Sequence, residues 1–209
     1  MRIGNLSFHT KYVLKICIVM FGTWISSIGI IIFVNTGLGA DPISTFLIGV
    51  IRYIPIAFGT ASQIFNILIL LLLFLMDRHL IGLGSVLNAF FVGFFINQFS
   101  SLVLNVEHGL WLPVKVFLGP LLLGIGTGIY LSAKLGSGAL ESMMLFISEK
   151  WKFSIKKARI ILDFTLVVLG AILGAPIGFG TVIGIFLIGP IIEGTLRLIQ
   201  YYRKKNRTV

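Results

Sequence analysis

The chain is short of charge, and acidic residues are the scarcest: it has seven Asp and Glu against seventeen Lys and Arg in 209 residues. Charged residues make up 11% of the sequence, whereas a soluble domain carries about 25%. This shortage excludes a soluble domain, because too few charges remain to cover a water-facing surface. The single cysteine, Cys17, excludes an intramolecular disulfide and a cysteine metal cluster, and we expect it to be a small packing residue.

Long apolar runs take the place of the missing charge, and hydrophobic residues make up 57% of the chain. Runs nearly free of charge occur at 12–34, 64–76, 86–104, 112–133, 160–175 and 182–199. A helix of about 20 residues crosses a bilayer core of about 30 Å. The sequence therefore predicts an all-α membrane protein, a polytopic helical bundle that forms one transmembrane domain over residues 1–209 in contact with the lipid bilayer.

The net charge of +10 is unevenly distributed. Basic residues gather near both chain ends and in the segment 150–159, while the spans between them have few. This is the positive-inside pattern of membrane proteins, in which cytoplasmic segments are rich in Lys and Arg. It predicts that both termini and the 150–159 loop are cytoplasmic, and it argues against nucleic acid as a partner.

Two parts of the chain resemble each other. Residues 28–39 match 125–136 at a spacing of 97, and residues 84–93 match 180–189 at a spacing of 96. Matched blocks in one order predict an internal duplication into repeats of about 12–105 and 112–200. Each repeat would hold about four helices, one of them short. Duplications of this kind are typical of transporters, whose binding sites form where the repeats meet.

The short segments near 41–55 and 139–149 decide the topology. If both cross the membrane, the chain has eight spans and parallel repeats. If both enter and return on the same side, it has six spans and inverted repeats. The charge pattern fits both arrangements, and segment length slightly favours eight crossings.

Several polar residues lie inside or beside the apolar runs, where a charge costs about 2.5–3.5 kcal/mol on insertion scales. Four are acidic, and the 96–97 spacing matches two of these acids to an asparagine each. The set is Asp41, Glu141, Asp163, Glu193, Asn66 and Asn97. We predict a coupling or polar substrate site from these residues, with Asp163 foremost, and we expect Asp163 and Glu193 to face other helices. The alternative is structural bonding, with Arg159 and Arg197 pairing these two acids.

Two glycine-rich segments, one in each repeat, are predicted helix starts. Their glycines are Gly37, Gly39, Gly136 and Gly138. Asp41 can cap the first helix with Pro42 at its first position, and Ser137 can cap the second. Two helix starts at matched places would direct free N–H groups toward one site, and the alternative is plain capping at the membrane surface.

Other chemistry is missing from the sequence. His9, His79 and His108 are isolated, and neither a nucleophile–base pair nor metal-ligand spacing occurs. We therefore expect no enzymatic activity, no cofactor and no metal site.

The blocks GLGADPIST, GTASQIFN, LGSVLNAFFVGFFIN, LGSGALESMM, KKARIILD and GAPIGFGTVIGIFLIGP resemble the YczE-like branch of the bacterial YczE/YitT integral membrane proteins. The resemblance covers residues 12–200 and implies a multi-pass bacterial plasma-membrane protein. It implies no activity and carries over no functional residues.

From these observations we expect a small transporter or permease that moves an unknown small molecule or ion by alternating access between its halves. A non-transporting scaffold or accessory protein for another membrane or biosynthetic system is the main alternative, and a lipid-handling enzyme is a weaker one. The sequence also leaves a homo-oligomer open. A polar cavity reached by Asp163, Asn66 and both helix starts would favour transport, and a dry bundle would favour the scaffold.

Overall fold

A computed structural model of the chain describes residues 8–104 and 111–205 and confirms the predicted all-helical class. The described helices are α1 (Phe8–Val34), α2 (Pro42–Ile51), α3 (Phe58–Met76), α4 (Leu83–Leu104), α5 (Leu112–Ser132), α6 (Ala139–Trp151), α7 (Ile155–Ile172) and α8 (Phe179–Lys205). We call α1–α4 the first half and α5–α8 the second half. The predicted domain limits at 1 and 209 and the repeat end at 105 lie outside the described residues, and α8 runs past its predicted end near 200.

The length and composition of the helices suit a membrane. Five of the described helices, namely α1, α3, α4, α5 and α8, are long and apolar enough to cross one. Large apolar side chains such as Leu75 and Phe186 are about three-quarters exposed on the outside of the bundle, as lipid-facing residues would be. Cys17 is also exposed, so its predicted packing role is wrong.

Helices α1 and α5 form the central pair and run in opposite directions. Gly22 of α1 packs against Tyr130 of α5, whereas Gly29, two turns later, packs against Leu123. Phe33, later still in α1, contacts Gly119. The residue numbers rise on one helix as they fall on the other, and glycines bring the two backbones into contact.

Three other close pairs run in the same direction. Ser27 and Thr23 of α1 bond to Val92 and Asn88 of α4 in rising order, and α5 pairs with α8 in the same sense. The short helix α2 lies parallel to α7, since Thr45 contacts Gly170 and Gly49 contacts Leu173.

These directions decide between the two topologies. Successive membrane crossings alternate in direction, and eight crossings would make α1 parallel to α5 and α2 antiparallel to α7. The contacts show the reverse in both cases. The helix directions therefore fit the alternative of six crossings, with α7 as the sixth beside the five helices named above and with α2 and α6 entering and returning on one side. They do not fit the eight crossings that segment length slightly favours.

The two halves hold each other through reciprocal backbone bonds. The Gly84 amide at the start of α4 donates to the Leu135 carbonyl, 2.7 Å away, in the segment before α6. The Gly180 amide at the start of α8 donates to the Leu38 carbonyl, 2.9 Å away, in the segment before α2. These four residues match in pairs at the 96–97 spacing. An internal duplication predicts such paired contacts, and it stays a prediction until the halves are superposed.

Gly39 and Gly136 make this interlock possible. Both have positive φ angles, 98° and 120°, which side chains with a Cβ rarely adopt. A Cβ on Gly39 would overlap Thr181 of the second half, and one on Gly136 would overlap Ser85 of the first. The glycine-rich segments thus turn the chain sharply and allow each half to contact the other.

Candidate functional site

A cavity of about 90 Å³ lies inside the bundle, and all eight described helices contribute to its wall. Its polar lining consists of Ser26, Asp41, Ser44, Ser62, Asn66, Asn88, Thr127, Tyr130, Glu141 and Arg159. Apolar side chains such as Ile30, Phe58 and Ile188 complete it. A site of this size and polarity has room for a few water molecules or one small ligand.

Asp41 reaches the cavity because it caps α2 from inside the protein. Its Oδ2 accepts the Ser44 amide at 3.2 Å, and Pro42 occupies the first turn, as the sequence predicts. The residue is only 7% exposed, and its other carboxyl oxygen, Oδ1, is buried without a hydrogen-bond partner in the described structure. The cap uses one oxygen and leaves the second available in the interior.

Glu141 holds the matching place at the start of α6, and it is bound from another helix. The Tyr130 hydroxyl of α5 donates to Glu141 Oε2 at 2.9 Å. The predicted Ser137 cap is wrong, since Gly138 occupies the cap position without a side-chain bond and the Ser137 hydroxyl pairs with Ser142 at 2.9 Å. A Cβ at position 138 would overlap the Glu141 carboxylate and the Tyr130 hydroxyl, so a larger residue there would displace this hydrogen bond.

Arg159 and Asp163 form an ion pair along α7. The Arg159 Nε donates to Asp163 Oδ2 at 2.8 Å, with side-chain exposures of 22% and 4%. Asp163 is buried among helices as predicted, but behind the cavity wall, where Arg159 stands. Its Oδ1 is also buried without a partner among the described residues. The Arg159 guanidinium interacts with the charges of Glu141 and Asp41 as well.

The two asparagines in the lining are neutral, and each forms a hydrogen bond within the first half. Asn66 lines the cavity and donates to the Ser62 carbonyl at 2.8 Å. Asn88 donates to the Thr23 hydroxyl at 3.0 Å. The cavity therefore has a neutral amide side on α3 and α4 and a charged side on α7.

The structure does not bring Glu193 and Asn97 to the cavity. Glu193 is 62% exposed at its side chain and forms an ion pair with Arg197 one turn along α8. Its expected contact with other helices is wrong, since a Cβ added to Gly189 on the same face would meet no atom of another described helix within 4 Å. Asn97 is exposed and donates to the Thr60 hydroxyl at 3.1 Å.

Seven of the ten polar lining residues were not predicted as site residues, and for three of them a comparison of the two halves contains a signal. At the spacing of 97, Thr127 stands where the first half has Ile30, Tyr130 where it has Phe33, and Arg159 where it has Ser62. Each change adds a polar or charged group to the second half. Comparing where the repeats differ, as well as where they agree, would have identified them.

A separate acidic and histidine group lies at a loop. Asp77, His79 and Glu149 place their ligand atoms within 4.8 Å of one another, and His79 and Glu149 are exposed. They join the segment after α3 to the end of α6. Exposed acidic and histidine side chains commonly form surface ion pairs of this kind without a metal ion. We therefore assign no metal to this group.

Fold and cavity together define a helical integral membrane protein with a charged interior. The chain belongs to a family of unknown function, DUF6198, whose model matches residues 13–197. The predicted resemblance to the YczE-like branch is confirmed, since the chain is 30% identical to the uncharacterized membrane protein YczE of Bacillus subtilis (strain 168). That match spans 159 residues, which are 76% of this chain and 74% of YczE.

Two other relatives cover more of the chain. The uncharacterized protein YyaS of Bacillus subtilis (strain 168) is 27% identical over 190 residues, or 89% of this chain and 94% of YyaS. An uncharacterized protein of Haemophilus influenzae (strain ATCC 51907 / DSM 11121 / KW20 / Rd) is 28% identical over 193 residues, or 92% and 88%. No solved structure matches the chain significantly.

Proposed function

We propose that this protein is a multi-pass transporter that moves a small molecule or ion through the central cavity by alternating access. The observation that carries the proposal is the central cavity with charged and polar groups in its lining, to which all eight described helices contribute. Buried charges in a membrane protein are costly and mark substrate or ion pathways. A scaffold would need no such space, and the proposal assigns the protein no enzymatic activity.

The helix directions support the same proposal. Antiparallel α1 and α5 correspond to halves of inverted topology, and α2 and α6 begin inside the protein at the cavity wall. Interrupted short helices that meet at the centre of inverted repeats are the usual place of a transporter's substrate. Each half can then expose the cavity to one side of the membrane in turn.

We further propose that the protein lies in the bacterial plasma membrane with both termini in the cytoplasm. The basic segment 150–159 supports this orientation, because cytoplasmic loops retain Lys and Arg. With six crossings, the loop after α2 faces outward and the loop after α6 faces the cytoplasm.

Cysteine labelling tests the proposal without knowledge of the substrate. In a Cys17→Ala background, Ser62→Cys places one thiol in the cavity, and Val19→Cys places one in a buried region away from it. Ile54→Cys and Lys152→Cys mark the two loops. Membrane-impermeant cationic and anionic methanethiosulfonates are applied separately to right-side-out and inverted vesicles.

Transport by alternating access predicts that Ser62→Cys reacts from both sides and Val19→Cys from neither. Ile54→Cys should react only from outside and Lys152→Cys only from inside. Reaction of Ser62→Cys from one side only, or from neither, would make the protein a non-transporting scaffold. If the two loop cysteines react from the same side, the six-crossing topology is wrong.

A further inference from the structure

The cavity has an uneven charge. Three carboxyl groups, those of Asp41, Glu141 and Asp163, interact with the single guanidinium of Arg159. The starts of α2 and α6 each add about half a positive charge. With the carboxyls ionised, about one negative charge remains without a counter-charge. Either protonation of one carboxyl or a bound monovalent cation removes such a charge, because an uncompensated charge in a low dielectric is costly.

The carboxylates that have no ion-pair partner in the described part of the chain lie at the starts of the two short helices, α2 and α6. Asp163 already accepts the Arg159 Nε, so this acid and this base largely compensate each other. Asp41 and Glu141 line the cavity, and neither forms an ion pair within bonding distance among the described residues. The Asp41 Oδ1 is buried and has no hydrogen-bond partner in the described structure. A buried carboxyl oxygen without a partner at a cavity is a vacant acceptor.

The remaining polar lining favours a cation as well. Ser26, Ser62 and Thr127 have hydroxyls, and Asn66 and Asn88 have amide oxygens, which can all accept from an ammonium group or bind an alkali ion. The volume of about 90 Å³ limits the ligand to a few heavy atoms. An anion would meet three carboxyls, with one already paired arginine to attract it.

We propose that the cavity binds one small monovalent cation, either an alkali-metal ion or a small primary ammonium, with Asp41 and Glu141 as its carboxylate ligands. This rests on the proposed function, since it names the chemical class that the transport cavity would carry. The two carboxylates come from the two interrupted helices, one in each half. A cation bound by both would therefore link the halves, and its release would let them separate.

Direct binding tests the proposal on the full chain in nanodiscs. Scintillation proximity measures ²²Na⁺ and ¹⁴C-methylammonium in separate arms, with Li⁺ and K⁺ as competitors and ¹⁴C-formate as the anion arm. We expect saturable binding of at least one cation and none of formate. Binding in the sodium arm alone identifies an ion site, and binding in the methylammonium arm alone identifies an ammonium site.

The variants Asp41→Asn and Glu141→Gln should each weaken cation binding by about 30-fold or more, since removing one buried charged partner costs about 2 kcal/mol or more. Asn caps a helix about as well as Asp, so Asp41→Asn should keep α2. If it fails to fold, Glu141→Gln alone decides. Glu193→Gln is the matched control, because Glu193 is exposed and paired with Arg197. It should leave binding unchanged.

Formate binding, or cation binding that is unchanged in both Asp41→Asn and Glu141→Gln, would overturn the proposal. The absence of any cation binding would also overturn it. These results are independent of the thiol experiment. Two-sided labelling of Ser62→Cys without cation binding would leave a transporter of another substrate class. Cation binding with one-sided labelling would leave a cation site in a protein that does not transport.

Discussion

The last two helices pack closely together in the first half but not in the second. In the first half, α3 and α4 cross with their backbones in contact, since a Cβ on Gly59 or Gly93 would overlap the other residue's carbonyl oxygen. In the second half, α7 and α8 make no comparably close contact within the described residues. A Cβ added to Gly189, which matches Gly93 at the spacing of 96, would meet no atom of another described helix within 4 Å.

The sequence explains this difference. At the spacing of 97, Lys156 stands where the first half has Gly59, and Ile160 where it has Gln63. A close glycine crossing needs a small residue on both helices, and α7 has none at this place. Helix α7 instead packs on α2 and α6. The second half thus has a glycine on α8 without a small residue opposite it on α7.

This comparison shows that, in the described structure, α7 is held by α2 and α6 and has no close contact with α8. Arg159, which lines the cavity, and its partner Asp163 lie on α7, whereas Asn66 lies on α3, which α4 holds tightly. The ion pair therefore lies on a helix that is not fixed to its neighbour along the chain, α8. In an alternating-access cycle, we expect α7 to shift against α8 while α3 and α4 move as one unit.

The largest loss of unfolding free energy should come from replacing Asp163, the acid of α7 that matches Asn66 of α3. Asp163→Asn removes the partner of the Arg159 guanidinium, and breaking a buried ion pair costs about 3–5 kcal/mol. The matched change in the first half, Asn66→Ala, removes a neutral bond to the Ser62 carbonyl and should cost about 1 kcal/mol. Unfolding free energies from SDS titration in mixed micelles compare the two variants.

A second substitution serves as the control for this prediction. Arg159→Gln in the Asp163→Asn background should recover part of the lost stability, because the guanidinium no longer lies buried without Asp163, while Asp41 and Glu141 lose its charge. Equal losses for Asp163→Asn and Asn66→Ala would mean that the ion pair does not hold α7.

The next largest loss of stability should come from adding a methyl group where two helices cross at glycines. Gly93→Ala forces α3 and α4 apart and should lower the unfolding free energy by about 1–3 kcal/mol, as overpacking does. Gly189→Ala places its methyl in open space and should be neutral or stabilise by up to about 1 kcal/mol, because Ala favours a helix. Thermal unfolding of both variants in the same detergent measures the difference. If Gly189→Ala destabilises as much as Gly93→Ala, α8 is packed as tightly as α4.

Local features of the fold were predictable from the sequence. The helices follow from apolar length, and the Asp41 cap needs only residues within one turn of it. The bond from Tyr130 to Glu141 was not predictable, because tertiary packing places two different helices side by side. Glu193 shows the limit of the repeat argument. Its match to Asn97 places it correctly along the helix, but only the packing of α7 decides whether that face is covered.

The number of membrane crossings could not be predicted from the distribution of charge along the sequence. Two exceptions to the positive-inside pattern occur with either arrangement, so charge alone could not decide between them. The decision came from the order in which residues of α1 contact residues of α5, and this order exists only in three dimensions.

The smallest effect concerns the ends of the two short helices, which contact matching loops with different chemistry. Arg52 at the end of α2 donates to the Gly174 carbonyl, which is a neutral acceptor. Glu149, near the end of α6, matches Arg52 at the spacing of 97. Its Oε2 lies 3.9 Å from His79 Nε2. The hydrogen bond and the charge of Asp77, 2.5 Å from His79, raise the pKa of this histidine.

We therefore predict that the contact of His79 weakens as the pH rises. Its folded pKa lies above the usual value of about 6.5. The stabilisation is therefore complete below about pH 6.5 and is lost as the pH rises through the raised pKa. The exposed position keeps the effect small. Wild type should melt above His79→Gln at low pH and level with it at high pH, and NMR should show the His79 pKa falling in Asp77→Asn. A constant gap in melting temperature across the pH range, or an ordinary His79 pKa, would contradict this.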